Sequence, residues 1–184
     1  NLRDKNMPET TSLPFITFQS NEKYVASRQD VNFWWPYITH ILEQHNLPGA
    51  DKQSETICGY NPTYPVFLID DIVVKFFGHI SPWKTAFATE NAAHEYLNQN
   101  TSIKAPQILA KGQLFSNTEH AWPYIISSKV EGKSWLDSPL TQENKLSLAK
   151  DIGEQLHKIH ALPINGKLSH DFDWSQLNLK AASE

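Results

Sequence analysis

Apolar residues at Val31, Trp34, Trp35, Ile38, Ile41 and Leu42 recur at intervals of three and four, which predicts a helix over roughly 33–46. Pro36 is tolerable there only in a first turn, and Pro48-Gly49 supplies the stop. The pattern then shortens. Thr56-Ile57-Cys58, Val66-Phe67-Leu68-Ile69 and Ile72 to Phe77 are strand-like runs divided by turns at Gly59-Tyr60-Asn61-Pro62 and Asp70-Asp71. Three antiparallel strands follow economically. Ser81-Pro82 offers an N-cap and a proline at the first helical position, opening a helix to about Asn98. Leu109 to Leu114 and Tyr124 to Ser128 read as two more strands. Thr141 caps a long helix whose apolar positions Leu148 or Ala149, Ile152, Leu156 and Ile159 keep a three-four spacing, ending before Pro163. Residues 1–28 are polar, lack a period, carry one apolar patch at Leu13-Pro14-Phe15-Ile16, and read as an arm or loosely docked extension. The tail, with Leu168, Phe172, Trp174 and Leu177, reads as one more partly helical piece.

Lys75 stands inside Ile72-Val73-Val74-Lys75-Phe76-Phe77, a run that otherwise reads as a strand buried on both faces. A buried ammonium needs either a route to water along its own stem or an anion. The helix after Ser81 has an inward stripe through Trp83, Ala86 or Phe87, position 90, Ala93 and Leu97, and position 90 is Glu. A carboxylate on an apolar stripe and a lysine in an apolar strand are complementary, because removing one member of a buried pair costs about 3 to 5 kcal/mol. Glu95 lies off that stripe. The plainer alternative is two unrelated surface charges.

Composition narrows the field. With 184 residues, 40% hydrophobic and 20% charged, the chain is globular and builds one domain or two small lobes. A formal charge of −4 lacks the basic excess that nucleic acid or an anionic membrane would demand. No stretch nears the roughly 18 apolar residues of a membrane span. Cys58 is the only cysteine, which excludes an internal disulfide and fits a cytoplasmic location. Its plain reading is a small buried hydrophobe. His157 and His160 stand one helical turn apart without a third metal ligand, and His40, His45, His79 and His94 show no partner pattern. Trp34, Trp35 and Trp83 fall on inward stripes, whereas Trp122 and Trp135 flank the last strand and are the two to examine for ligand contact.

A strand, a turn containing Gly59, a strand, a lysine strand and a helix presenting a glutamate form the order of a kinase-like small lobe, an α+β arrangement. Its physics suits a triphosphate: backbone amides of the turn approach phosphate oxygens, lysine neutralises phosphate charge, and glutamate holds the lysine. From about Val31 to Trp174 the sequence resembles the aminoglycoside phosphotransferase and choline kinase group. The resemblance is carried by Gly59-Tyr60-Asn61-Pro62-Thr63-Tyr64, by Val73-Val74-Lys75-Phe76, by Glu90 seven residues before Leu97, and by Ala105-Pro106-Gln107-Ile108-Leu109. It continues through Pro123-Tyr124-Ile125-Ile126-Ser127-Ser128-Lys129-Val130-Glu131-Gly132 and Ile152 to Leu162.

That resemblance implies a protein-kinase-like small lobe, a five-stranded antiparallel sheet plus helix, followed by the incomplete helical start of a large lobe. The implied boundaries are an extension at 1–28, a nucleotide-binding lobe with hinge at 29–130, and the beginning of the helical lobe at 131–184. It implies that Gly59, Tyr60, Asn61 and Thr63 cover the phosphates, with Lys75 and Glu90 beneath them. The Ser128 carbonyl and Val130 N–H then meet the base edge, with Ser127 at the back of the pocket. The turn departs from a glycine-rich loop in having one glycine and in Pro62, which has no N–H. The resemblance further implies ATP or GTP with Mg2+ as the nucleotide and a hydroxyl of a small polar compound as the acceptor.

The family's catalytic His-Gly-Asp with a following Asn, and its later Asp, do not occur in these residues. His170-Asp171-Phe172-Asp173 lies too close behind the long helix and resembles a connector between helices. The expectation is therefore that the 184 residues hold nucleotide, contain no catalytic residue, and leave the magnesium ligands outside this chain. It also follows that the stripe at Ile152, Leu156 and Ile159 is exposed until more of the lobe, or a second copy, covers it. Two other readings stay open. One is a kinase-like module that binds nucleotide or a protein partner without chemistry, and the other is an α+β interaction domain in which Lys75 and Glu90 are structural.

Overall fold

The computed structural model describes residues 13–100, 102–132 and 139–163. The chain divides into two compact units. The first holds Asn1–Phe87 and Pro106–Glu131, and the second holds Ala88–Ala105 and Gly132–Glu184.

The first unit is built on a five-stranded antiparallel sheet of β1 (Ile57–Cys58), β2 (Val66–Ile69), β3 (Ile72–Phe76), β4 (Ile108–Leu114) and β5 (Trp122–Ser128), in the order β1-β2-β3-β5-β4. The tight turn at Asp70-Asp71 is present, with Asp70 at φ 48, a left-handed conformation that aspartate tolerates better than most residues. β3 occupies the centre and exchanges pairs with both β2 and β5. Its burial alternates. Ile72, Val74 and Phe76 are buried, while Val73 and Lys75 are only partly so, which corrects the expectation of a strand buried on both faces.

The face carrying Phe67, Ile69, Ile72, Val74, Phe76, Tyr124 and Ile126 meets the helix α2 (Val31–Gln44) through Trp34, Ile38, Ile41 and Leu42. Trp34 has no exposed surface, stacks on Phe76 at 4.9 Å between ring centroids, and meets Trp122 edge-on at 5.2 Å. α2 starts two residues before its predicted position. The Asp30 carboxylate accepts from Asn32 N–H (2.9 Å) and Phe33 N–H (3.3 Å), capping it there. Pro36 consequently lies beyond the first turn, against expectation. The Asn32 carbonyl it leaves without a donor is on an exposed residue, where water can serve it.

Residues 13–28 are not a loose arm. Ile16 is 3% exposed, Trp122 Nε1 donates to its carbonyl at 3.1 Å, and the Tyr37 hydroxyl donates to Pro14 O at 3.1 Å. A short helix α1 (Asn21–Ser27), capped by the Ser20 side chain, buries Tyr24 completely. The burial of Ile16 and Tyr24 corrects the reading of this stretch as an extension.

On the opposite face of the sheet, Tyr64, Phe77 and Ile125 form a smaller cluster. Trp83, Ala86 and Phe87, from the first turns of helix α3 (Trp83–Asn98), cover it. The predicted stripe thus holds in its first half. The helix begins two residues after Ser81, with the Pro82 carbonyl accepting from Ala86 N–H at 3.0 Å. The chain passes into the second unit after Phe87.

The second unit contains the rest of α3 and the helix α4 (Gln142–His160). Thr141 caps α4 as predicted, its side chain accepting from Asn144 N–H at 3.2 Å, and the helix ends before Pro163. The Tyr96 hydroxyl donates to the Pro163 carbonyl, and Lys158 Nζ reaches Ser102 O at 3.5 Å. Ile103 is buried, whereas no residue of α4 is.

Candidate functional site

Lys75 is held by its strand on both sides, opposite Val66 of β2 and Ile125 of β5. Because side chains alternate, it projects on the face away from the Trp34 core. Its Nζ lies 5.0 Å from the centre of the Phe77 ring and 6.0 Å from that of Tyr64, within cation–π range of both. The ammonium therefore lies against two aromatic rings.

Ser127 joins it on that face. It pairs with Val73 while Lys75 pairs with Ile125, so the register makes Ser127 a diagonal neighbour of Lys75. Ser127 is 8% exposed, the one buried polar residue among the described ones. Beyond it the strand exit is tied on two sides. Ser128 N–H donates to Gln107 O (2.8 Å), Gln107 N–H returns a bond to Ser128 Oγ (2.9 Å), and Lys129 N–H donates to Asp71 O (2.7 Å). Val130, next along, is 62% exposed, and its N–H has no protein acceptor among the described residues.

The turn from Gly59 to Thr63 begins with Gly59 N–H donating to Val66 O at 2.9 Å. A Cβ at Gly59 would come within 3.0 Å of the Val66 Cβ, a close approach that only glycine makes without displacement. Asn61 has φ 36 and Tyr60 is 95% exposed. Three donors from α1 and the residues after it reach this turn. The Tyr24 hydroxyl donates to Thr63 O at 2.7 Å, Arg28 Nη2 to Asn61 Oδ1 at 3.1 Å, and Gln29 Nε2 to Gly59 O at 3.0 Å. The Cys58 thiol also donates to Gln29 O at 2.8 Å. Burial, followed by the Asp30 charge, raises the Cys58 pKa. Sequence reasoning missed Tyr24, Arg28 and Gln29. The available signal was Ser20 as an N-cap with Glu22 in the first turn, but a helix of 7 residues is too short to display a period.

Glu90 lies on α3 in the second unit and is half-buried, as is every α3 residue from Thr89 to Asn98. In the same unit Ile152, Leu156 and Ile159 are 47%, 48% and 36% exposed, so the predicted apolar stripe of α4 is indeed open to solvent.

Other candidates resolve simply. Trp122 is 4% exposed and belongs to the core; it borders a cavity of about 260 Å³ with Phe18, His79 and His120. Trp135, His170, Asp171 and Asp173 lie outside the described residues. Among the described residues no three His, Cys, Asp or Glu side chains gather as a metal site, and no helix is long and apolar enough to cross a membrane.

The model of the phosphotransferase enzyme family matches residues 64–182, more than half of the chain. The match takes in Lys75, Glu90, Ser127, Ser128 and Val130, and it starts just after the turn at 59–63. A lysine fixed in the middle strand of an antiparallel sheet, a buried serine on the same face and a match of this length lead to one conclusion: the chain belongs to the phosphotransferase enzyme family.

Proposed function

We propose that this chain is the nucleotide-holding part of a kinase that transfers the terminal phosphoryl group of ATP or GTP to a hydroxyl of a small polar acceptor. In this reading residues 29–130 are the small lobe with its hinge, and the segment from 131 begins the helical lobe. Lys75 contacts phosphate and Glu90 fixes its side chain. The turn Gly59, Tyr60, Asn61 and Thr63 covers the phosphates. Ser127 closes the back of the base pocket, and the Ser128 carbonyl and Val130 N–H meet the base edge.

The observation that carries this reading is the shared face of Lys75 and Ser127 on β3 and β5. It puts a cation beside the strand that runs out to Val130, whose N–H has no protein acceptor among the described residues, so in this reading phosphate and base contacts fall along one line. Backbone groups suit a base edge because they present a donor and an acceptor at fixed spacing. A lysine point charge suits phosphate.

The chemistry such a site supports is positioning and charge neutralisation, since phosphoryl transfer asks little covalent work of the protein. Magnesium, where bound with the nucleotide, would supply further neutralisation of phosphate charge. The described residues offer it no cluster of ligands. The family's His-Gly-Asp, Asn and later Asp are not among these residues. This chain is accordingly proposed to bind nucleotide without transferring phosphate by itself.

The test is thermal unfolding with Mg-ATP and Mg-GTP, on the parent chain and Lys75→Met. A ligand that binds only the folded state raises the unfolding temperature. The parent should gain stability with one or both nucleotides. Lys75→Met should fold equally well but need roughly 10- to 100-fold more nucleotide for the same gain, the loss typical of a charged hydrogen bond. Equal responses from both chains would overturn the assignment of Lys75.

A further inference from the structure

We propose that Tyr24, Arg28 and Gln29 act as positioning residues that set the turn at 59–64 for a triphosphate, a role that rests on the nucleotide reading above. A turn with one glycine and a proline is poorly equipped for phosphate on its own. Pro62 has no N–H, and holding a loop in one shape costs about 1 to 2 kcal/mol per residue in backbone entropy. Something outside the turn has to fix it.

The fixing groups are present. Gly59 O, Asn61 Oδ1 and Thr63 O, acceptors on alternate residues, each take a hydrogen bond from the same short stretch of chain: Gln29 at 3.0 Å, Arg28 at 3.1 Å and Tyr24 at 2.7 Å. In a trans peptide the carbonyl and the following N–H point in opposite directions. Drawing the Gly59 and Thr63 carbonyls toward α1 therefore aims the N–H groups of Tyr60 and Tyr64 away from it. The Tyr60 N–H has no protein acceptor among the described residues. Tyr64 lies against Phe77, with ring centroids 5.3 Å apart, and it is the ring that Lys75 Nζ approaches to 6.0 Å. The turn thus runs from the α1 side to Tyr64, whose ring lies beside the Lys75 ammonium.

Asn61 contributes to the same end. Its φ of 36 is a conformation that few residues other than glycine adopt readily, and asparagine is among those that do. Arg28 holds the Asn61 side chain, which makes that conformation the persistent one.

The anchor is firm enough to serve. Tyr24 is fully buried, stacks on His79 at 4.8 Å, and is held in a helix whose Ser27 carbonyl accepts from Trp34 Nε1 at 2.9 Å. The brace is therefore continuous with the main core. A merely structural role, docking α1 onto the sheet, predicts something different: loss of stability with no preference between ligands.

The test compares a nucleoside with its triphosphate. The full chain, Gln29→Ala and Tyr24→Phe would be titrated calorimetrically with Mg-ATP and adenosine, and with Mg-GTP and guanosine. Gln29 is exposed, and Tyr24→Phe keeps the buried ring, so both variants should fold. Triphosphate affinity should fall about two- to tenfold for each hydrogen bond removed. Nucleoside affinity should stay within about twofold of the parent, since the turn meets only phosphate. Amide exchange over residues 59–64 should quicken in both variants, a readout independent of nucleoside affinity. Unchanged triphosphate binding, or a parallel fall for nucleoside and triphosphate, would overturn the proposal. A parent chain that binds neither ligand would overturn the nucleotide reading itself, a result distinct from a binding parent with unmoved variants.

Discussion

The hydroxyl of Tyr24 donates to the carbonyl of Thr63 at 2.7 Å across 39 positions of chain, from a residue with no exposed surface. The ring is packed among aromatic neighbours while its one polar atom reaches the rim of the sheet. Such a hydroxyl can donate only while protonated, and burial pushes its pKa well above the ordinary tyrosine value.

Alkaline pH should therefore unfold the first unit. Burial also raises Tyr37 and Tyr124, and the Cys58 thiol is raised by burial and then by Asp30. For each group the unfolded chain loses its proton first, near the ordinary values of 9.0 for Cys58 and 10.0 for the tyrosines. The folded form thus binds more protons above that point, and stability falls as pH rises. Urea denaturation should show full stability below about pH 8 and a steady decline from about pH 9 upward. Tyr24→Phe should flatten part of that decline. A flat profile from pH 8 to 11 would contradict it.

Gly78→Ala should destabilise the sheet. A Cβ at Gly78 would fall 2.5 to 2.7 Å from three atoms of the Trp122 ring. That ring cannot slide away, because its Nε1 is bonded to Ile16 O at 3.1 Å and Trp34 lies 5.2 Å off. Overpacking of this kind costs about 1–3 kcal/mol, readable as a lower denaturation midpoint at unchanged slope.

Trp34→Ala should cost about 3–5 kcal/mol, the range for deleting a large buried aromatic. Trp34 bridges α2 to β3 through Phe76 and to β5 through Trp122. A loss of that size consumes much of an ordinary domain's stability. The variant should show weakened near-ultraviolet dichroism and an early thermal transition, and a midpoint like the parent's would refute the central place given to this ring.

Much of the sheet was legible because its residues announce themselves locally. Val66 to Ile69 and Ile72 to Phe77 are short, β-branched or aromatic, and divided by Asp70-Asp71, and they pair as expected. Thr141 was readable as a cap for the same reason. Pro36 was misjudged because the start of α2 depends on Asp30, one residue before the first apolar position. The site divided along similar lines. Lys75 stood out as a charge in an apolar run, but its alternation with Val74 and Phe76 was hidden because Val73 is apolar too. Tyr24, Arg28 and Gln29 could not be found: a side chain bonding a carbonyl 30 or more positions away leaves no spacing to read.

The alternation along β3 has a consequence for how this chain can vary. With Lys75 between Val66 and Ile125, and with Val74 and Phe76 turned to the Trp34 side, inserting or deleting a single residue between Ile72 and Lys75 would carry the lysine into the aromatic interior and expel a core side chain. An exchange of one apolar residue for another along this strand keeps the two faces in place, whereas a change in the number of residues from the Asp70-Asp71 turn to the lysine does not.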